Sequence, residues 1–197
     1  MDDIYLTVAS EGKDIYKEKM SKFIGFAIPV SDADEAKAEI KRIQNEYHDA
    51  RHVCWAYMIG ADRTQWQLND NGEPSGTAGK PILGQINSAG VSDVVVVVVR
   101  YFGGIKLGTP GLTAAYREAA RLAIAAAGTV ERQLTRMIEI TFPYPSTNEV
   151  MKVAKQPGIT VLGQTFDCTC SMRLEVPLGR YEEVAGRLSS IDGTSLL

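Results

Sequence analysis

The sequence predicts a two-domain α+β protein, and three observations carry that prediction. Six consecutive valines, Val94 to Val99, form a strand apolar on every residue; such a strand is covered on both faces and lies centrally in its sheet. Glycine is clustered around it, since the forty residues from Gly72 to Gly111 hold nine of the chain's eighteen glycines. Beyond residue 133 the elements read β-α-β-β-α-β, the split βαβ order of ferredoxin-like domains, so the two halves differ in fold.

Taken in order, Leu6 to Val8 and Phe23 to Val30 read as strands with a turn at Glu11-Gly12-Lys13, so the chain begins with a hairpin or meander. Ser31 or Asp32 caps a helix whose apolar positions Ala33, Ala36, Ile40, Ile43 and Tyr47 keep the helical period. Val53 to Ile59 and Gln65 to Leu68 are strands paired across Gly60-Ala61-Asp62-Arg63. After the valine strand, Thr109 as cap and Pro110 at the first helical position open a long helix that ends at Gly128. Residues 129 to 133 are the domain boundary, giving domains 1–130 and 131–197. In the second, Leu134 to Phe142 is a strand, and Ser146-x-x-Glu149 is a capping box for a helix to about Gln156. Ile159 to Phe166 and Thr169 to Val176 are strands, Arg180 to Ser190 an amphipathic helix, and the last few residues a short strand.

The 197 residues are 45% hydrophobic and 23% charged, a globular composition with enough apolar material for a sizeable core. The six-valine run is far short of the roughly 20 residues of a membrane span, and the acidic N-terminus is unlike a secretory signal, so a cytoplasmic protein without membrane contact is expected. A net charge of −3 argues against a generic nucleic-acid binder, but the charge is uneven. Residues 1 to 73 carry nine Lys/Arg against fourteen Asp/Glu, whereas residues 74 to 130 carry five against two. An anion is met in that second stretch.

Two segments there could hold one. Asn71 to Pro81 nearly spells a phosphate-binding P-loop, but proline stands at positions 74 and 81, where glycine and a magnesium-ligating hydroxyl belong. Arg100 to Gly111 has the strand, glycine-rich turn and helix N-terminus that favour anions, with Arg100 and Lys106 adding charge. The glycines equally permit positive φ and close helix-sheet packing. Ser75, Gly76, Thr77, Gly79, Lys80, Arg100, Tyr101, Gly103, Gly104, Lys106 and Thr109 are therefore the candidate anion or nucleic-acid site, and the two loops are expected to converge on one face. Asp70 with Glu73, and Ser75 with Lys80, read as acid-base or Ser-Lys pairs, or equally as loop caps.

His48, His52 and Cys54 have metal-like spacing only if a helix runs through His52, and the strand signal from Val53 breaks that register. Cys168 and Cys170 share a strand face and read as reduced packing residues; no metal or cofactor is expected. Trp55, Tyr57 and Trp66 could stack bases, but strand aromatics are more often core.

Gly72 to Leu83 together with Val99 to Thr109 resemble the signature of the YigZ/Impact family, as does the run from Ala50 to Gly60. The resemblance implies a first domain like ribosomal protein S5 domain 2 and a second like a ferredoxin-like domain of elongation factor G. For the eukaryotic branch it implies translational control; for bacterial members it implies association with RNA or a ribosomal partner. Where the family reads Gly-Thr-Gly-Gly-Leu-Val-Arg-Ala-Tyr, this chain has Pro110 and Ala114, losing an amide donor and a cation, so Lys80, Arg100 and Lys106 are left to hold an anion. A regulatory protein binding RNA or a translation-associated partner is the expectation. The alternatives are an enzyme on a phosphorylated small molecule and a protein-protein module. Between Pro74 and Val130 only Asp93 and Glu118 are available as carboxylates, which favours binding over phosphoryl transfer.

Overall fold

The computed structural model describes residues 3–167 and 169–197. It is a mixture of helices and strands, α+β, divided into two compact units, Tyr5–Arg132 and Gln133–Leu197 with Met1–Ile4.

The larger unit is built on a five-stranded sheet of β2 (Gly12–Glu18), β3 (Ser21–Pro29), β4 (His52–Ile59), β5 (Gln65–Asn69) and β6 (Val94–Tyr101). Their order is β2-β3-β6-β4-β5, and every neighbouring pair is antiparallel. The valine strand is thus the middle one. Its alternation serves two cores. Val94, Val96 and Val98 pack under α2 (Gly79–Ala89) and α3 (Gly108–Ala127), while Val95, Val97 and Val99 pack under α1 (Ala33–Glu46). Both faces being dry explains a strand with no polar alternation. A separate two-stranded sheet joins β1 (Ile4–Val8) to β7 (Thr129–Gln133).

Strand β2 replaces the expected turn at Gly12. It is an edge strand with one face in water, so Lys13, Asp14, Lys17 and Glu18 hid its period. It turns into β3 through Lys19 and Met20, both at positive φ (42° and 69°), as a tight hairpin requires. Gly12 and Gly25 let α3 lie directly on β2 and β3, because a Cβ on Gly25 would fall 2.5 Å from the Ala119 carbonyl oxygen. Asp32 caps α1, its carboxylate accepting from the amides of Asp34 (2.9 Å) and Glu35 (2.8 Å). Helix α2 was not anticipated. Thr109 is not the cap of α3 but its second residue, and that helix starts with no side-chain cap.

In the smaller unit, β8 (Thr135–Pro143), α4 (Thr147–Ala154), β9 (Thr160–Thr165), β10 (Thr169–Pro177), α5 (Tyr181–Ser189) and β11 (Ser195–Leu196) follow the β-α-β-β-α-β order. The sheet order is β11-β8-β10-β9. Ile138, Ile140, Phe142, Met172 and Leu174 bury one sheet face against the two helices. Ser146 does not form the expected capping box: its hydroxyl donates to the Asp192 carbonyl instead (2.8 Å). Cys170 is buried in this core; Cys168 lies outside the described residues.

Candidate functional site

The glycine-rich loop is organised around Asp70. Its carboxylate accepts hydrogen bonds from the amides of Gly76 (2.8 Å), Ala78 (3.0 Å) and Gly79 (2.8 Å), the last two at the start of α2. An internal anion therefore occupies the amide cradle that a P-loop offers to phosphate, and it complements the positive end of α2. The loop-cap reading of Asp70 is the one realised. Thr77 is buried, its hydroxyl donating to the Pro74 carbonyl (2.6 Å).

Glu73 reaches inward from the same loop. Its Oε1 accepts from Arg100 Nη1 at 2.6 Å and from the Tyr116 hydroxyl at 2.8 Å, and Cys54 Sγ lies 3.3 Å from that hydroxyl. The Arg100 and Glu73 side chains are 7% and 3% exposed, so the pair is desolvated and its charges are met only by each other. Burial pushes the Cys54 thiol up to about 12 and raises the Tyr116 hydroxyl as well. Neither is a nucleophile at neutral pH. The Arg100 guanidinium lies close to two rings, 5.6 Å from the Phe23 centroid and 5.5 Å from that of Phe102. Its Nε is buried with no hydrogen-bond partner among the described residues. A buried donor left unmade costs roughly 1–3 kcal/mol.

Around Arg100 opens a cleft of about 380 Å³, walled by Arg51, His52, Glu73, Pro74 and Phe102 and by Lys106 to Thr109 with Leu112. It adjoins a second hollow of about 320 Å³ that shares Arg51, His52, Arg100 and Phe102. Strand pairing sets this arrangement, since His52 is the register partner of Arg100 across β4 and β6. His52 Nδ1 lies 3.0 Å from the Asn71 carbonyl; a carbonyl only accepts, so Nδ1 is the donor in this contact. Tyr101 donates to Asp49 (2.6 Å), which raises the phenol to about 12 and lowers the carboxyl. The uncapped N-terminus of α3, with Gly108 and Thr109, closes the cleft.

The β2–β3 turn adds to the same end of the sheet. Lys22 is the register partner of Tyr101, and the Gly103 backbone packs on Met20, where a Cβ would meet the Met20 carbonyl carbon at 2.0 Å. Lys17, Lys19, Lys22, Arg51 and Lys106 thus surround this end, and none of the five forms an ion pair among the described residues. Phe102 (54% exposed) and Ile105 (50%) stand among them.

The two glycine-rich segments are tied together by Glu73 and Arg100, yet the candidate residues do not all face one hollow. Arg100, Lys106 and Thr109 line the larger cleft; Tyr101 lines its neighbour. Lys80 and Gly76 instead line a separate groove of about 360 Å³ between α2 and α3, with Arg117. Ser75 is exposed, Gly79 is committed to Asp70, and Gly104 (φ +91°) supplies a turn with open space around it. Arg100 is not a free cation, because Glu73 neutralises it. The candidate residues leave out Phe102, although it lies within the Arg100 to Gly111 segment, and Lys17, Lys19 and Lys22, which only the register of β2, β3 and β6 brings to this end. Of the strand aromatics, Tyr57 is buried, Trp55 stacks on it at 5.9 Å, and Trp66 is exposed.

The model of the Impact N-terminal domain matches residues 19–124, which include the whole of this cleft. The chain belongs to the IMPACT family. The IMPACT family member YigZ of Escherichia coli is 32% identical over 180 residues, 90% of this chain and 88% of that one. The IMPACT family member YvyE of Bacillus subtilis is 39% identical over 71% of this chain and 64% of its own. A crystal structure described only as that of a hypothetical protein superposes with a TM-score of 0.77 at 30% identity, covering all of this chain and 98% of that one. The IMPACT match thus takes in the Gly-rich loop, β6 and most of α3 in a single stretch.

Proposed function

We propose that this IMPACT-family protein is a regulatory factor that binds RNA, free or within a ribosomal or translation-associated partner, at the end of the sheet where β6 runs into α3. The observation that carries the reading is the exposed Phe102, which shares its cleft with Arg51 and Lys106 and lies beside the strand end to which register brings Lys22 and Lys17, all four cations without an ion pair among the described residues. Cations without local partners are those that release counterions on meeting phosphates, and an exposed ring among them offers a face for a base. The acidic remainder of the protein limits contact to this face. Family membership supports placing the RNA in translation, the role that the resemblance implies for the eukaryotic branch.

Binding is favoured over phosphoryl transfer because the nearby carboxylates are engaged. Glu73 serves Arg100 and Tyr116, Glu118 pairs with Arg121, and Asp93 accepts from Tyr5 and from the Gly60 amide.

Filter binding of a single-stranded RNA at several salt concentrations tests the proposal. Arg51→Ala with Lys106→Ala is expected to weaken binding and reduce the salt slope by about one unit per lost contact. Lys80→Ala with Arg117→Ala, in the other groove, is expected to change it little. Undiminished binding by the first pair, or no binding by the wild type, would sink the proposal.

A further inference from the structure

Resting on the reading of this cleft as an RNA site, we infer that it takes the phosphomonoester end of a nucleotide rather than a phosphodiester within a chain. Arg100 carries the argument. Nη1 is held by Glu73, and the Phe23 and Phe102 rings crowd the guanidinium at 5.6 and 5.5 Å, so what remains to be offered is the edge formed by Nε and Nη2. Neither nitrogen has a partner among the described residues, and Nε is shut off from solvent. Two parallel N–H donors on one guanidinium edge match two oxygens of a single phosphate. The residue is 6% exposed and lines the cleft, so it is a built part of the wall rather than a surface charge.

Charge points the same way. Arg51, Arg100 and Lys106 stand against Glu73, three cations against one carboxylate, leaving +2 in the cleft. A diester brings one negative charge, whereas a monoester brings about −1.5 to −2 at pH 7. The N-terminus of α3, twenty residues long and uncapped, adds positive potential at the same wall. Size agrees as well. About 380 Å³ is near the small end of the range of roughly 300–1,000 Å³ for small-ligand sites, room for a single nucleotide. Phe102, 54% exposed, lies 5.5 Å from the guanidinium, on a loop continued by Gly103 and Gly104. The incoming phosphate reaches the Arg100 edge as this ring swings from it, and the base stacks on the ring.

The test uses one hexanucleotide sequence prepared with a 5′-phosphate, a 3′-phosphate or hydroxyls at both ends, with fluorescence anisotropy at fixed salt and AMP and adenosine as competitors. At least one phosphorylated end is expected to bind roughly tenfold tighter than the hydroxyl-ended strand, with AMP competing and adenosine not. Arg100→Lys keeps a charge opposite Glu73 but removes the fork, and is expected to abolish the preference. Lys106→Ala and Phe102→Ala, at the exposed rim, are expected to reduce it without shifting the thermal melt.

Equal affinity for all ends, with binding still salt-dependent, overturns this inference and leaves the RNA proposal standing. AMP binding without RNA binding supports the nucleotide site with a free nucleotide as its source and removes the RNA proposal. No binding of any probe overturns both. A preference that survives in a normally melting Arg100→Lys protein overturns the role of the fork.

Discussion

Glu73 Oε1 lies 2.6 Å from Arg100 Nη1, and the two side chains, twenty-seven residues apart in sequence, are both more than nine-tenths buried. This contact, with Tyr116 on the same oxygen, fastens the glycine-rich loop to both β6 and α3. Removing one partner leaves a buried charge uncompensated. Glu73→Ala is expected to cost about 3–5 kcal/mol in urea denaturation, and Glu73→Leu with Arg100→Met far less than the two single changes added together. A loss below about 1 kcal/mol in Glu73→Ala would show that the pair does not hold the loop.

Asp70 is expected to matter through the backbone. Asp70→Ala frees the amides of Gly76, Ala78 and Gly79 and should cost about 1–2 kcal/mol, as the loss of a helix cap does. The emptied amides should then respond to added sulfate, which would raise the melting temperature of the variant more than that of the wild type. Equal responses in the two proteins would show that the amides do not form an anion cradle.

Stability is expected to fall on the alkaline side. The Cys54 thiol sits at about 12 in the folded protein, against about 8.5 for an unfolded thiol. Below pH 8.5 both states are protonated and the benefit of burying a neutral thiol is complete. Between pH 8.5 and 12 the unfolded chain ionises first, so stability declines by up to about 1.4 kcal/mol per pH unit. Tyr116 is shifted in the same direction and adds a decline above about pH 10. Urea denaturation from pH 7 to 11 should show this slope, flatter in Cys54→Ala; parallel slopes for the two proteins would contradict it. The same burial should leave Cys54 unalkylated in the native protein at pH 8.

Two glycines are expected to respond with opposite sign. Gly25→Ala would set a Cβ 2.5 Å from the Ala119 carbonyl oxygen, so α3 must lift from β3 and stability should drop by about 2 kcal/mol or more. Gly84 lies inside α2 with nothing within 4 Å of an added Cβ, so Gly84→Ala should stabilise by about 0.5–1 kcal/mol. Thermal melts of both variants decide the matter.

Much of this architecture was legible because the elements announce themselves locally. The valine run, the alternation in the C-terminal strands and the period of α1 each reflect burial of a face, and burial dictates residue type. Strand β2 was illegible, since an edge strand with lysines along it looks like a loop. Helix α2 was hidden because Gly79, Pro81 and Gly84 are poor helix residues whose cap, Asp70, is nine positions upstream of Gly79. The site was read in part. Lys106 and Thr109 follow from the strand-loop-helix pattern, but the neutralisation of Arg100 and the arrival of Lys17, Lys19 and Lys22 depend on pairings between distant segments, which no local pattern records.

The place of β6 in its sheet also bears on how the chain is made. A run of six valines is an aggregation-prone stretch whenever it is left without neighbours. Both its partners, β3 and β4, precede it in sequence, and α3, which covers one of its faces, follows it within seven residues. During vectorial synthesis β6 therefore leaves the ribosome with both edges already spoken for, and it meets them as the closing strand between β3 and β4. A nascent chain halted just before Val94 is the vulnerable species, for it displays two strand edges with nothing between them.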